Sequence, residues 1–309
     1  MEVGRIAANP DWGWWIILYF YLGGIAAGAY FVGTLIDLVG HDERDLPIAR
    51  MAFYIAAPLI AVCGILLIVD LSRPERFWHM MIQSNTGWPM FKYWSPMSVG
   101  VWALLLFGLF SGASFVGALA EDARFGLGRF GGLAARLHHG PVGALFQLAG
   151  TAVGFFIASY TGALLSATNL PFWSDSPWIA PLFLASAAST GMAALLLLLL
   201  LTRSPAPRDS IASLERTDRW AMLLELVLLI AFLLSLGGLA PALLASPYGL
   251  LLIGGTLVLG VLLPLLLSWR PRLLGARSTA VGAGLALLGG LALRYAIVMA
   301  GQYAALAGR

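Results

Sequence analysis

Eight apolar runs, each long enough to cross a bilayer, leave this chain few folds to adopt. A helix rises about 1.5 Å per residue, so a span needs about 20 mostly apolar residues. Such runs occupy residues 14–39, 48–71, 97–119, 142–167, 178–201, 220–244, 248–267 and 280–300. Charge, proline or both interrupt every gap, the shortest being Ala245-Ser246-Pro247. An all-α polytopic membrane protein with eight transmembrane helices is therefore expected. Hydrophobic residues form 60% of the chain and charged residues 11%, at a mean hydropathy of +0.87, which a soluble domain does not sustain. The many glycines and prolines fit the same class, because glycine lets membrane helices approach and proline is tolerated in them.

Basic residues set the expected orientation. Gaps after the first, third, fifth and seventh runs hold Arg44, Arg50, Arg124, Arg129, Arg136, Arg203, Arg208, Arg216, Arg219, Arg270, Arg272 and Arg277. The other side holds Arg5, Arg73, Arg76, Lys92 and Arg309. The excess places the first group in the cytoplasm and both termini on the outer, periplasmic side. The first fifteen residues lack a basic segment followed by a short apolar core and a cleavage site, so no removable signal peptide is expected.

The stretch VCGILLIVDLSRPERFWHMMIQSNTGWPMFKY, residues 62–93, carries the densest chemistry. Asp70 ends an apolar run, and a carboxylate at a membrane edge is costly enough to be a functional candidate. Arg73 and Arg76 follow it, and with Lys92 they concentrate outer-side charge in one loop. That loop reads either as a partner-docking surface or as an ordinary solvated loop. Asp70 and Arg73 also have the spacing of a local ion pair. His79 falls on the same side and has the chemistry to accept or donate a proton near neutral pH.

With this topology Tyr19, Tyr21, Asp70, Tyr160, Thr161, Ser166 and Asn169 converge toward the outer side of the first four runs. Tyr160 is the tyrosine least explained as an interfacial aromatic, since it lies about two turns inside its run. Asp37, at the inner end of the first run, reads as a snorkelling charge or part of a proton route. Glu225 and Arg294 fall inside the sixth and eighth runs at depths too different for a simple pair, so each needs another partner.

Cofactors are constrained by absence of ligands. Cys63 is the only cysteine, which excludes an internal disulfide, a cysteine-based zinc site and an iron–sulfur cluster of the chain's own. His41, His79, His138 and His139 all fall in gaps or at helix edges, so bis-histidine haem within the helices is not expected. No haem or metal is therefore expected in this chain, and no nucleic-acid signature occurs. Residues 121–140 and 202–219 read as cytoplasmic connectors. FYLGGIAAG in the first run echoes FLASAASTG in the fifth, through duplication or through close helix packing.

The segments DLSRPERFWHMM, LGGIAAGAYF and SYTGALLSATNLPFW, followed by PLFLASAASTG, resemble the NrfD/PsrC family, the membrane subunits of polysulfide-reductase-type complexes. The resemblance spans the chain. It implies two four-helix bundles, residues 1–170 with the quinone site and residues 171–309, in a bacterial or archaeal cytoplasmic (inner) membrane. It implies a menaquinone or ubiquinone site at the outer face. The implied partner is an iron–sulfur electron-transfer subunit with a molybdenum-type or other catalytic subunit, or alternatively a multihaem cytochrome c. Family members serve molybdenum oxidoreductases, nitrite-reductase pathways, hydrogenases and alternative complex III. Tyr160 matches a tyrosine that hydrogen-bonds a quinone carbonyl, and Asp70 an acidic group ending the second helix. Tyr19 takes the place where some members use histidine. Ile16 stands where some members have asparagine, a departure that removes one ring contact.

Quinol oxidation releases two protons and two electrons, so such a site needs a flat apolar slot, a hydrogen bond to each ring oxygen and a proton acceptor. Asp70 and His79 are the candidate proton-handling residues. Tyr19, Asp70, Arg73 and Tyr160 are the candidate quinone ligands, and Arg73, Arg76 and Lys92 the candidate docking charges. Asp37 and Glu225 are candidates for a proton route. A membrane anchor without quinone chemistry and a small-solute or ion transporter are the alternatives. A transporter calls for polar groups near the midplane in both halves, whereas polarity here is read on one side of one half.

Overall fold

The computed structural model describes residues 12–39, 46–138, 140–202 and 206–307. Arg5, His41, Arg44, His139, Arg203 and Arg309 lie outside the described residues. Those described form no strand beyond an isolated bridge between Ile82 and Pro89. The helices of the array begin with α1 (Trp14–Val39), α2 (Leu46–Asp70), α3 (Pro96–Glu121), a short α4 (Gly131–His138), α5 (Gly140–Ser166), α6 (Ile179–Leu201) and α7 (Arg208–Ser235). Two more follow, α8 (Pro247–Trp269) and α9 (Ser278–Ala307). Seven of these are individually long and apolar enough to cross a bilayer, and α7 joined to its bent continuation makes an eighth.

Helix α1 is the most enclosed span and packs on α2, α5 and α6. Small residues bring its neighbours close. A Cβ added at Gly28 would overlap the Ala187 carbonyl of α6, and one at Gly191 would overlap the backbone at Gly28 and Ala29. Phe20 meets Phe183 edge to face with 6.3 Å between ring centroids, and Gly24 faces Ala187. The two echoing segments thus lie side by side, parallel and in register. Elsewhere α2 packs on α3, α3 on α5, α6 on α5, α7 and α9, and α8 on α9. The middle of α8, Leu252–Leu262, is wound as a π-helix, and its Gly260 lies against Gly289 of α9.

The sixth span differs from the expected 220–244. Its helix starts at Arg208, ends at Ser235 and turns through 98° into Gly237–Leu244, with Gly237 at φ +53° supplying the left-handed corner. The stretch from Trp220 to Ser235 rises only about 24 Å, less than a bilayer core. A bilayer-crossing span here would have to draw in the turns before Trp220, which carry Asp218. Residues 121–140 are also more than a connector: they contain α4 and bury His138.

Two ends of the helix array can be told apart by their residues. One, the Asp70 face, holds the end of α2, the start of α3 and the end of α5. The other, the Asp37 face, holds the end of α1, the end of α3 and α4.

Candidate functional site

On the Asp70 face, residues 71–95 run from α2 to α3 through a 3₁₀ turn at Pro74–Met80 and a tight turn at Gly87, whose φ is +69°. Met90 N–H donates to the Met81 carbonyl at 2.7 Å, closing the turn. The segment is then tied to α3: Lys92 N–H donates to Ser98 Oγ at 3.1 Å and Trp102 Nε1 to the Met90 carbonyl at 3.0 Å. Arg73, Arg76 and Lys92 are exposed, as are Trp78, Trp88, Phe91, Tyr93 and Trp94, while half-buried His79 lies against the Trp78 ring. Asp70 is exposed at the end of α2.

Beneath this segment, α1, α2 and α5 bring Tyr19, Cys63 and Tyr160 together. Cys63 Sγ faces the Tyr19 carbonyl at 3.7 Å, and the Tyr19 hydroxyl is within electrostatic reach of Tyr160. The Tyr160 hydroxyl donates to the Pro96 carbonyl at 2.7 Å, with its ring stacked on Phe156. Tyr19 is only 3% exposed, yet its hydroxyl makes no hydrogen bond among the described residues. Its hydroxyl therefore has a donor to give, and a ligand oxygen is a suitable acceptor for it. Asp70 is seven residues beyond Cys63, so it lies about 10 Å farther along the axis toward the surface. The structure therefore groups the two tyrosines and sets Asp70, Arg73 and His79 above them. Ile16 is buried one turn before Tyr19.

A second polar cluster runs through the other half of the molecule. Arg294 of α9 is 1% exposed and donates to Ser186 Oγ at 2.8 Å, to the Gly290 carbonyl at 2.9 Å and to the Phe20 carbonyl of α1 at 3.3 Å. The Glu225 carboxyl lies beside Ser186 and that of Asp218 beside Ser189, one turn on, and Asp218 Oδ1 is buried without a hydrogen-bond partner among the described residues. Glu225 and Arg294 thus both lie near Ser186, with no direct ion pair between them among the described residues. Polarity is not confined to one half, which corrects the reading of the sequence on that point. Asp218 and Ser186 were missed there. Their signal was spacing: Asp218 and Glu225 are seven apart on one helical face, and Ser186 and Ser189 three apart on another.

At the Asp37 face a third group ties helix ends together. Gln147 Nε2 donates to Asp37 at 2.6 Å and to the His138 carbonyl at 3.1 Å. Asp37 is therefore a bonded helix-end charge. His138 pairs with Glu121 at 2.9 Å and stacks on Phe53, so this histidine is buried rather than solvated. Arg50 and Tyr54 both donate to Asp122 at 2.6 Å. Among the described residues no group of three or more His, Cys, Asp and Glu side chains is placed to hold a metal ion.

The family model described as polysulphide reductase, NrfD, matches residues 7–306. A polysulfide reductase chain of Wolinella succinogenes is 30% identical over 234 residues, 73% of the present chain and 69% of that protein. Protein NrfD of Escherichia coli is 28% identical over 314 residues, covering 94% of the present chain and 95% of its own length. A selenate reductase subunit of Mesobacillus selenatarsenatis is 27% identical over 82 residues, 26% of the present chain and 19% of that subunit.

Proposed function

This chain belongs to the NrfD polysulphide reductase family, and from that premise we propose that it exchanges electrons between the membrane quinone pool and a partner on its Asp70 face. Membership makes it a multi-pass membrane subunit of the reductase-complex type. The quinone reading is carried by one observation: the hydroxyl of Tyr19, a buried residue, makes no hydrogen bond among the described residues and lies beside Tyr160. Tyr19 and Tyr160 would hydrogen-bond the two ring oxygens of menaquinone or ubiquinone, with apolar helix surface flanking the ring.

Proton handling is divided by depth in this reading. Asp70 and His79, between the tyrosines and the surface, discharge protons released at the ring. Arg73, Arg76 and Lys92 dock the partner, an iron–sulfur subunit that passes electrons to a catalytic subunit. The polar groups Asp218, Ser189, Glu225, Ser186 and Arg294 lead to the Phe20 carbonyl, next to Tyr19, and supply a polar route toward the site from the far side. Glu225 belongs to that route, and Asp37 to the edge where protons would enter the other half.

The same reading takes α1, α2, α3 and α5 as one four-helix bundle within residues 1–170 and α6 to α9 as a second within 171–309. It sets the Asp70 face and both termini outside a bacterial or archaeal inner membrane, in keeping with the basic-residue asymmetry. Ile16 favours a second reading, an anchor that has lost quinone chemistry. Quinol oxidation by the isolated complex separates the two. Turnover that falls in Tyr19→Phe and Tyr160→Phe supports the site, and turnover equal to the unmodified complex in both overturns it.

A further inference from the structure

Tyr160 does not project into free space. Its hydroxyl is engaged by the carbonyl of Pro96, the first residue of α3, and its ring occupies the place where a side chain at Gly100 would stand. The three heavy atoms nearest to a Cβ built on Gly100 all belong to Tyr160, the hydroxyl oxygen first. Gly100 is buried in the interior face of α3, one turn after Pro96. A glycine inside a helix costs about 0.5–1 kcal/mol relative to alanine, and here the missing Cβ makes room for one tyrosine ring.

We propose that the first turns of α3 position Tyr160 for its ligand: Gly100 is the recess that fixes the ring, and the Pro96 carbonyl parks the hydroxyl until a ring oxygen takes its place. This rests on the quinone reading above. It makes Gly100 and Pro96 positioning residues, neither of which need touch the ligand. Binding is then an exchange of acceptors for the Tyr160 proton, from backbone carbonyl to ring oxygen. The Asp70-face segment is tied to the same turns through Ser98 and Trp102, so the element that sets Tyr160 also carries the docking surface.

A double-mutant cycle in the assembled complex tests this, using menadione for binding and menadiol for turnover. Gly100→Ala should weaken menadione binding several-fold and raise the KM for menadiol at unchanged kcat, because the added Cβ swings the ring out of place. In a Tyr160→Ala background the recess is empty, and the same glycine change should have no effect. An equal loss in both backgrounds overturns the proposal, since the glycine then acts through helix packing. So does native-like binding in Gly100→Ala alone. If Gly100→Ala does not assemble, meta-fluorotyrosine at position 160 of the otherwise native chain gives a second reading. Its fluorine resonance should shift when menadione saturates the site, and no shift means that the hydroxyl stays on Pro96. Failure of the quinone reading is distinguishable: there Tyr160→Ala itself leaves menadione binding intact.

Discussion

Arg294 and Ser186, 108 residues apart in sequence, meet at 2.8 Å in the interior of the helix array, with the Glu225 carboxyl beside the same serine. One hydroxyl thereby stands between a buried guanidinium and a buried carboxyl. Removing one partner of a buried charge pair costs about 3–5 kcal/mol, because the other is left without compensation. Arg294→Met should lower the thermal midpoint of the purified protein sharply, and Arg294→Met with Glu225→Met should recover part of the loss. A midpoint unchanged in Arg294→Met would mean that Glu225 is held by something else.

The two tyrosines should not be equivalent. Tyr160 must release Pro96 before it can donate to a ligand, whereas the Tyr19 hydroxyl has no acceptor among the described residues to give up. A net hydrogen bond is worth about 0.5–1.5 kcal/mol, so Tyr19→Phe should weaken quinone binding several-fold, and more than Tyr160→Phe does. Equilibrium titration with menadione measures both, and the reverse ranking would count against Tyr19 as a ligand.

Asp70 sits about 10 Å along α2 from the level of Cys63, closer to the surface than the tyrosines. Its expected part is proton transfer rather than ring binding. Asp70→Asn should reduce turnover by about 10²–10⁴-fold while menadione affinity changes little. Loss of affinity without loss of maximal turnover would place Asp70 among the ligands instead.

Charge reversal at Arg73 and Arg76, both exposed on the Asp70-face segment, should release the partner or slow electron transfer to it. Exposed charge contacts are screened, so native association should itself weaken with salt. A partner retained on the arginine-rich Asp37-face loops would invert the proposed topology.

The α1–α6 seam should tolerate no bulk. Gly28 and Gly191 bring the two backbones into contact, and overpacking of a close-packed interior typically costs about 1–3 kcal/mol. Gly28→Ala should therefore lower stability in detergent, while Gly13→Ala, where added volume meets nothing, should not. Equal midpoints for the two variants would show that the seam relaxes freely.

The spans were legible because apolar length is a local property of the chain: apart from the sixth run and the extended end of α9, the runs begin and end close to the termini of the helices found. The sixth run misled because hydrophobicity continues through Leu236 and past Gly237, where the backbone turns instead of advancing. Tyr19 and Tyr160 were legible as residues toward one end of the helix array, from the order of the runs and from family resemblance. Their surroundings were not. No local pattern says that Pro96 accepts from Tyr160, that Gly100 makes room for its ring, or that Arg294 reaches the Phe20 carbonyl 274 residues away. Nor did the position of His138 at a helix edge show that it would be buried against Phe53. Sequence alone determined where the apolar runs lie and what chemistry they carry, since transfer into a bilayer is summed residue by residue along each helix. Only tertiary structure decided which polar side chains meet, because a hydrogen bond depends on ångström-scale contact between helices that the chain brings together from distant positions.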